Sequence, residues 1–193
     1  ITFPKKTNLQ PIKTNVERLQ QVRIIPQASC YVLEVVYKHQ EPELLQDNGN
    51  HLSIDLGVNN LAAISTNLPN ENPLLINGKP LKSINQYYNK KQAEYKSKLK
   101  KNHNRNTSNK INKLTHKRNN KVKDYLHKIS RYIINYCKEK EITNITIGKN
   151  DGWKQEVNLG KVNNQNFVSI PFNIFIHQLE YKGKLAGIQV NQI

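Results

Sequence analysis

The chain has 193 residues, enough for one domain and part of a second, and carries 30 Lys and Arg against 14 Asp and Glu, a formal net charge of +16. No run of about 18 apolar residues occurs, which argues against a transmembrane helix. Cys30 and Cys137 belong to no CxxC or CxxH pair, so neither a zinc site nor a disulfide framework is supported. The positive charge is concentrated. Between Lys79 and Glu141 there are 19 basic residues and 4 acids. Such a block favours a polyanionic partner bound through counterion release. An anionic membrane surface is the weaker candidate, because the segment is rich in Asn and has no continuous Trp, Phe and Leu face. No signal peptide precedes the apolar runs, and a cytoplasmic location is expected. The chain lacks Met, begins ITFPKK and ends GIQVNQI within a predicted strand. It reads as a segment of a longer frame, and low solubility follows if that strand edge stays uncovered.

In chain order, residues 1–40 hold two β-rich runs, Gln21–Ile25 and Cys30–Tyr37, with Pro26 and Gln27 in the turn. Glu41 to Asn50 is polar, contains Pro42 and Gly49, and marks a candidate domain boundary. The stretch HLSIDLGVNNLAAIS, residues 51–65, follows. Leu52, Ile54, Leu56 and Val58 recur at period two, which turns Asp55 to the opposite face of a strand that ends at Gly57. Carboxylates are depleted in strands. Two readings follow: a metal-ligating acid held on a rigid strand, or an aspartate capping the turn before Gly57. His51 shares the face of Asp55 by its even spacing.

Leu61–Thr66 and Leu74–Ile76 read as further strands. From Gly78-Lys79-Pro80 a long helical region opens, with Ile84, Tyr88, Tyr95 and Leu99 on one face. Ile111, Leu114, Val122, Leu126, Ile129, Ile133 and Cys137 form another, and Asn102–Asn109 interrupts them. Two antiparallel helices with basic faces are expected. Lys90, Lys91, Lys98, Lys100, Lys101, Arg105, Lys117, Arg118 and Lys121 are the candidate nucleic-acid contacts. Tyr87, Tyr88, Tyr95, Tyr125, Tyr132 and Tyr136 are interleaved with them, some as stacking platforms and several as core residues. The plain alternative is a solvated lysine-rich surface. A strand over Asn144–Ile147 comes next, then the polar stretch Lys149–Phe167, where Trp153 reads as a loop anchor or a base-stacking group. A helix starts near Ser169 and Pro171 and ends at Gly187, before a strand at Ile188–Val190. Three strands, helices, strand, helix, strand is the element order of an α/β ribonuclease H-like mixed sheet with long basic helices, preceded by a small β-rich segment. The six histidines show no ligand spacing, and no phosphate-binding glycine motif occurs.

IDLGVNNLAA, the basic helical pair, ITNITIGKNDGWKQ and NNQNFVSIPFNIFIHQLEYKGKLAGIQV together resemble the TnpB proteins, over roughly residues 20–193. These are transposon-encoded RNA-guided DNA endonucleases, related to the type V CRISPR effectors and often described as transposases. The resemblance implies that residues 1–45 are the end of a β-rich wedge domain that grips guide RNA. It makes residues 51–193 a RuvC nuclease domain, incomplete at its C-terminus, with DNA and guide RNA as partners. It also implies Mg²⁺ held by three acids. Asp55 matches the first, as catalytic residue and metal ligand. The second is a glutamate at the end of the strand in ITNITIGKN, where this sequence has Gly148. A glycine has no side chain to ligate Mg²⁺; the resemblance implies that some members supply this acid from elsewhere in the chain, and a place just past Ile193 is the other expectation. Asp151, Glu156 and Glu180 follow closely. Glu180 is the further catalytic candidate, with an ordinary place on a helix surface as its alternative. The third acid and a zinc ribbon are expected beyond this sequence, so zinc is not expected here, and strand cleavage by this polypeptide alone is not either. The expected function is therefore part of an RNA-guided DNA endonuclease. The alternatives are a nuclease-dead nucleic-acid-binding remnant or RNA-guided repressor, and a sequence-independent binding module.

Overall fold

The computed structural model describes residues 1–27, 29–103, 105–148 and 170–193. The stretch 149–169, with Asp151, Trp153, Glu156 and the expected helix start at Ser169, lies outside the described residues. The chain divides into two compact units, Ile1–Gln40 and Glu41–Ile193.

The first unit is built on an antiparallel hairpin of β1 (Leu19–Pro26) and β2 (Tyr31–Tyr37). Val22 pairs with Val35, Ile24 with Leu33 and Arg23 with Glu34, whose side chains form an exposed ion pair at 3.7 Å. Glu41–Asn50, which reads as a polar boundary segment, packs with the second unit. Leu45 N donates to Gly187 O at 2.7 Å, Asn48 Nδ2 to Glu141 O at 2.7 Å, and Glu41 pairs with Lys184 at 2.6 Å. Polar side chains that read as a linker are satisfying the exposed ends of neighbouring elements.

The second unit holds a five-stranded sheet in the order β5-β4-β3-β6-β7: β3 (His51–Leu56), β4 (Asn60–Thr66), β5 (Leu74–Asn77), β6 (Asn144–Gly148) and β7 (Gln189–Gln192). The β5-β4-β3 half is antiparallel and the β3-β6-β7 half parallel. The parallel steps require crossovers. Helices α1 (Lys79–His103) and α2 (Asn109–Glu139) intervene between β5 and β6 in sequence, and α3 (Phe172–Lys184) connects β6 to β7. Ser108 caps α2, its hydroxyl accepting from Ile111 N at 3.3 Å.

Alternation decides the layering. Along β3 the even residues Leu52, Ile54 and Leu56 are buried and the odd residues His51, Ser53 and Asp55 exposed, as period two requires. Ile64, Ile145 and Ile147 join the same core, which Val122, Leu126, Ile133, Ile134 and Cys137 of α2 and Phe172, Phe175 and Leu179 of α3 complete. Burial pushes the Cys137 thiol up to about 12, so it behaves as a core residue. Among the described residues no helix is long and apolar enough to cross a membrane.

Among the described residues, one charge lies inside. Lys182 of α3, 4% exposed, donates to His127 O at 2.9 Å and to Ser130 Oγ at 2.6 Å on α2. Burial, and then the nearby Arg131, hold its pKa below the usual lysine value. The unfolded chain therefore binds this proton more tightly than the folded one. Stability from this site rises with pH from the lowered folded pKa up to the ordinary value of 10.5. Lys182→Met is expected to remove that alkaline rise and to leave stability at pH 7 equal or higher, as checked by urea denaturation at pH 7 and pH 10. A clear loss at pH 7 would show instead that the two hydrogen bonds outweigh the desolvation of the ammonium.

Candidate metal site and nucleic-acid interface

Two features of the second unit carry chemistry: an acid on the open face of the sheet, and the cationic surface of α1 and α2.

Asp55 stands on β3 with its side chain on the face opposite the core. Its cross-strand partner on β4 is Ala63, and on β6 it is Gly148. Parallel neighbours in register lie about 4.8 Å apart with side chains on one face. The position where the TnpB resemblance places a second acid is thus directly beside Asp55. Among the described residues, a Cβ built on Gly148 meets only Ile54 O, at 3.7 Å, which is ordinary contact. The described residues leave room for a side chain here and the sequence supplies none. Ser53, Ser65, Pro73, Thr146 and Ile193 surround the pair in a shallow concavity, and Asp55 is the one acid among the described residues lining it. Ser53 and Ser65 hydroxyls bond each other at 2.7 Å.

Glu180 lies on α3 and is engaged there. Gln192 Nε2 donates to its Oε1, and His177 Nδ1 lies 3.8 Å from its Oε2. His51 begins β3 while Asp55 is four residues along it, about 13 Å away, too far for a shared hydrogen bond. No group of three or more His, Cys, Asp or Glu side chains suited to a metal ion occurs among the described residues. Two Mg²⁺ ions need several carboxylates to offset their mutual repulsion. Among the described residues, one aspartate beside a glycine does not fit such a centre.

The helices divide their cations. Lys90, Lys100, Lys101, Lys117 and Lys121 are exposed and make no ion pair with the described residues, and Arg105 sits exposed in the connection. Lys91 and Lys98 are spent on Glu94, at 3.0 and 2.9 Å. Those hydrogen bonds, the one from Lys98 foremost, hold the Glu94 carboxyl down at about 2. Arg118 turns inward. Its Nε donates to buried Asn85 Oδ1 at 2.8 Å, its guanidinium lies 5.7 Å from the Tyr88 ring centre, and burial lowers its pKa. The tyrosines split as well. Tyr88 bonds Thr115 at 3.0 Å, Tyr125 donates to Asn77 O, and Tyr136 donates to Glu71 at 3.1 Å. Tyr87 and Tyr132 stay exposed. Helical spacing alone did not separate these sets, because it fixes a face and not what that face meets.

A mixed sheet with three antiparallel strands, two parallel ones and crossover helices is the ribonuclease H-like architecture of RuvC-type nucleases. Solved structures share the fold, two of them as follows. One is a cryo-EM structure of a Cas12f1–sgRNA–target DNA complex, with a TM-score of 0.54 over 89% of this chain at 16% identity. The other is a cryo-EM structure of a CRISPR–Cas12f ternary complex, with a TM-score of 0.53 over 84% of this chain at 19% identity. The chain spans 41% and 31% of those two proteins. Residues 34–154 match the OrfB_IS605 family, described as "Probable transposase", and the chain belongs to that family, the one that contains the TnpB proteins. No curated protein matches the chain.

Proposed function

We propose that this chain is the nucleic-acid-binding RuvC-type part of a transposon-associated, RNA-guided DNA endonuclease, with DNA and guide RNA as its partners and residues 1–40 belonging to a wedge-like RNA-binding domain. The observation that carries it is the charge placement on α1 and α2: exposed lysines that make no ion pair with the described residues, on a helical pair whose other polar groups are engaged. Such a surface tracks phosphates and needs no base-reading side chains when pairing to a guide supplies specificity. In this reading Asp55 is one Mg²⁺ ligand, and the remaining carboxylates come from outside the described residues.

Gly148 favours a second reading, in which the protein binds guided DNA without cutting it. The Asp55→Ala variant tests the division of labour. Asp55 is exposed and its replacement should change stability by less than about 0.5 kcal/mol. Affinity of the full chain for a labelled single-stranded RNA or duplex DNA oligonucleotide is expected to stay within about twofold of wild type, since phosphate contacts and metal ligands are separate groups. A loss of binding would place Asp55 in the interface and contradict its assignment as a metal ligand.

A further inference from the structure

Tyr87 is 61% exposed on α1, a large ring left in water although its neighbour Tyr88 is tied into the helix pair. It borders an open crevice of about 290 Å³ between α1 and α2. Ile84 and Leu114 form the apolar floor, Tyr88 with Arg118 one wall, and Lys117 and Lys121 the rim. That wall is held by the bonds of Arg118 to Asn85 and of Tyr88 to Thr115. The rim lysines are four residues apart on one helix face, about 6 Å along the axis. Among the described residues no acid lines the crevice, and the nearest acid on the same face of α1, Glu94, is held by Lys91 and Lys98.

An exposed aromatic ring over an apolar floor, with two cations one turn apart, is complementary to a single nucleotide unit: a flat apolar base joined to anionic phosphates. A base in a duplex offers no free face, so the fit is to an unpaired one. We infer that the Tyr87 crevice is a subsite for an unpaired nucleotide of a nucleic-acid strand, with the base stacked on Tyr87 and adjacent phosphates against Lys117 and Lys121. This deepens the nucleic-acid-binding reading and rests on it.

The test uses the full chain, fluorescence anisotropy, and three probes of equal length: oligo(dT), oligo(U) and duplex DNA. Tyr87→Ala should weaken binding of the single strands by roughly tenfold while leaving the duplex affinity and the salt slope unchanged. Tyr87→Trp should retain single-strand affinity. Lys117→Ala and Lys121→Ala should each lower the single-strand salt slope by about 0.7. Loss with oligo(U) alone, or with oligo(dT) alone, identifies which strand the subsite takes. If wild type binds all probes and Tyr87→Ala binds the single strands equally well, or loses single strand and duplex alike, the subsite is refuted and the general reading stands. If wild type binds none of the probes, both fall.

Discussion

Gly148→Glu is expected to raise the affinity of the chain for Mn²⁺ roughly tenfold or more, and a second change, Asp55→Ala, to abolish the gain. The reason is register. Asp55 and Gly148 are cross-strand partners in the parallel β3–β6 ladder, so a carboxylate at 148 projects beside that of Asp55 from two rigid strands. Among the described residues nothing blocks it, because a Cβ at this position has 3.7 Å to its nearest described neighbour, Ile54 O. Two carboxylates at this spacing repel each other and raise the pKa of at least one of them. The unfolded state then loses that proton first, so the metal-free variant should lose stability as pH rises through the carboxylate range. Mn²⁺ should restore it. Calorimetric titration with Mn²⁺, paired with thermal unfolding at pH 4 and pH 7, reads both effects. An affinity gain that survives Asp55→Ala would mean that the ion sits elsewhere.

The second large effect concerns another glycine. Gly78→Ala is expected to destabilise the chain by about 2–3 kcal/mol, whereas Gly148→Ala should be close to neutral. Gly78 is buried between β5 and α1. Its N donates to Asn59 O at 2.8 Å, and its own carbonyl accepts from Lys82 N at 3.2 Å, opening the helix. A Cβ there would lie 2.3 Å from Val58 O and 3.0 Å from Asn59 O. Both atoms are backbone in the turn that follows Asp55, so relief requires the β3–β4 turn and the start of α1 to separate. Urea denaturation of the two alanine variants makes the comparison. Equal midpoints would show that the β3–β4 turn yields at little cost.

The sheet was largely legible because its signal is local. The alternation Leu52, Ile54, Leu56 against Asp55 defines both the strand and its faces, and Ile145 with Ile147 does the same for β6. The helix break was legible from the run of Asn between Asn102 and Asn109. What the bare residues could not show was which distant strand lies beside Asp55, since β3 and β6 are joined across about 90 residues and both are apolar. Only resemblance pointed to Gly148. The fates of the cations were equally hidden. Arg118 and Lys117 are adjacent in sequence, yet one is folded over Tyr88 and the other faces solvent, because buried Asn85 on α1 offers a carbonyl to one side of α2 only. Likewise Glu41–Asn50 has the composition of a linker, but Asn48 and Asn50 donate to Glu141 O and Asp47 accepts from Asn144 Nδ2, which fastens it to the sheet unit.

The most direct measurement is the affinity of the full chain for a fluorescently labelled duplex DNA oligonucleotide between 50 and 200 mM salt. A nucleic-acid surface built on the five or six exposed cations that make no ion pair with the described residues predicts a linear fall of log affinity with log salt, with a slope near −5 and a loss on the order of a thousandfold across that range. Affinity that stays flat with salt, or binding too weak to detect at 50 mM, would contradict it and leave the lysines of α1 and α2 as solvated surface.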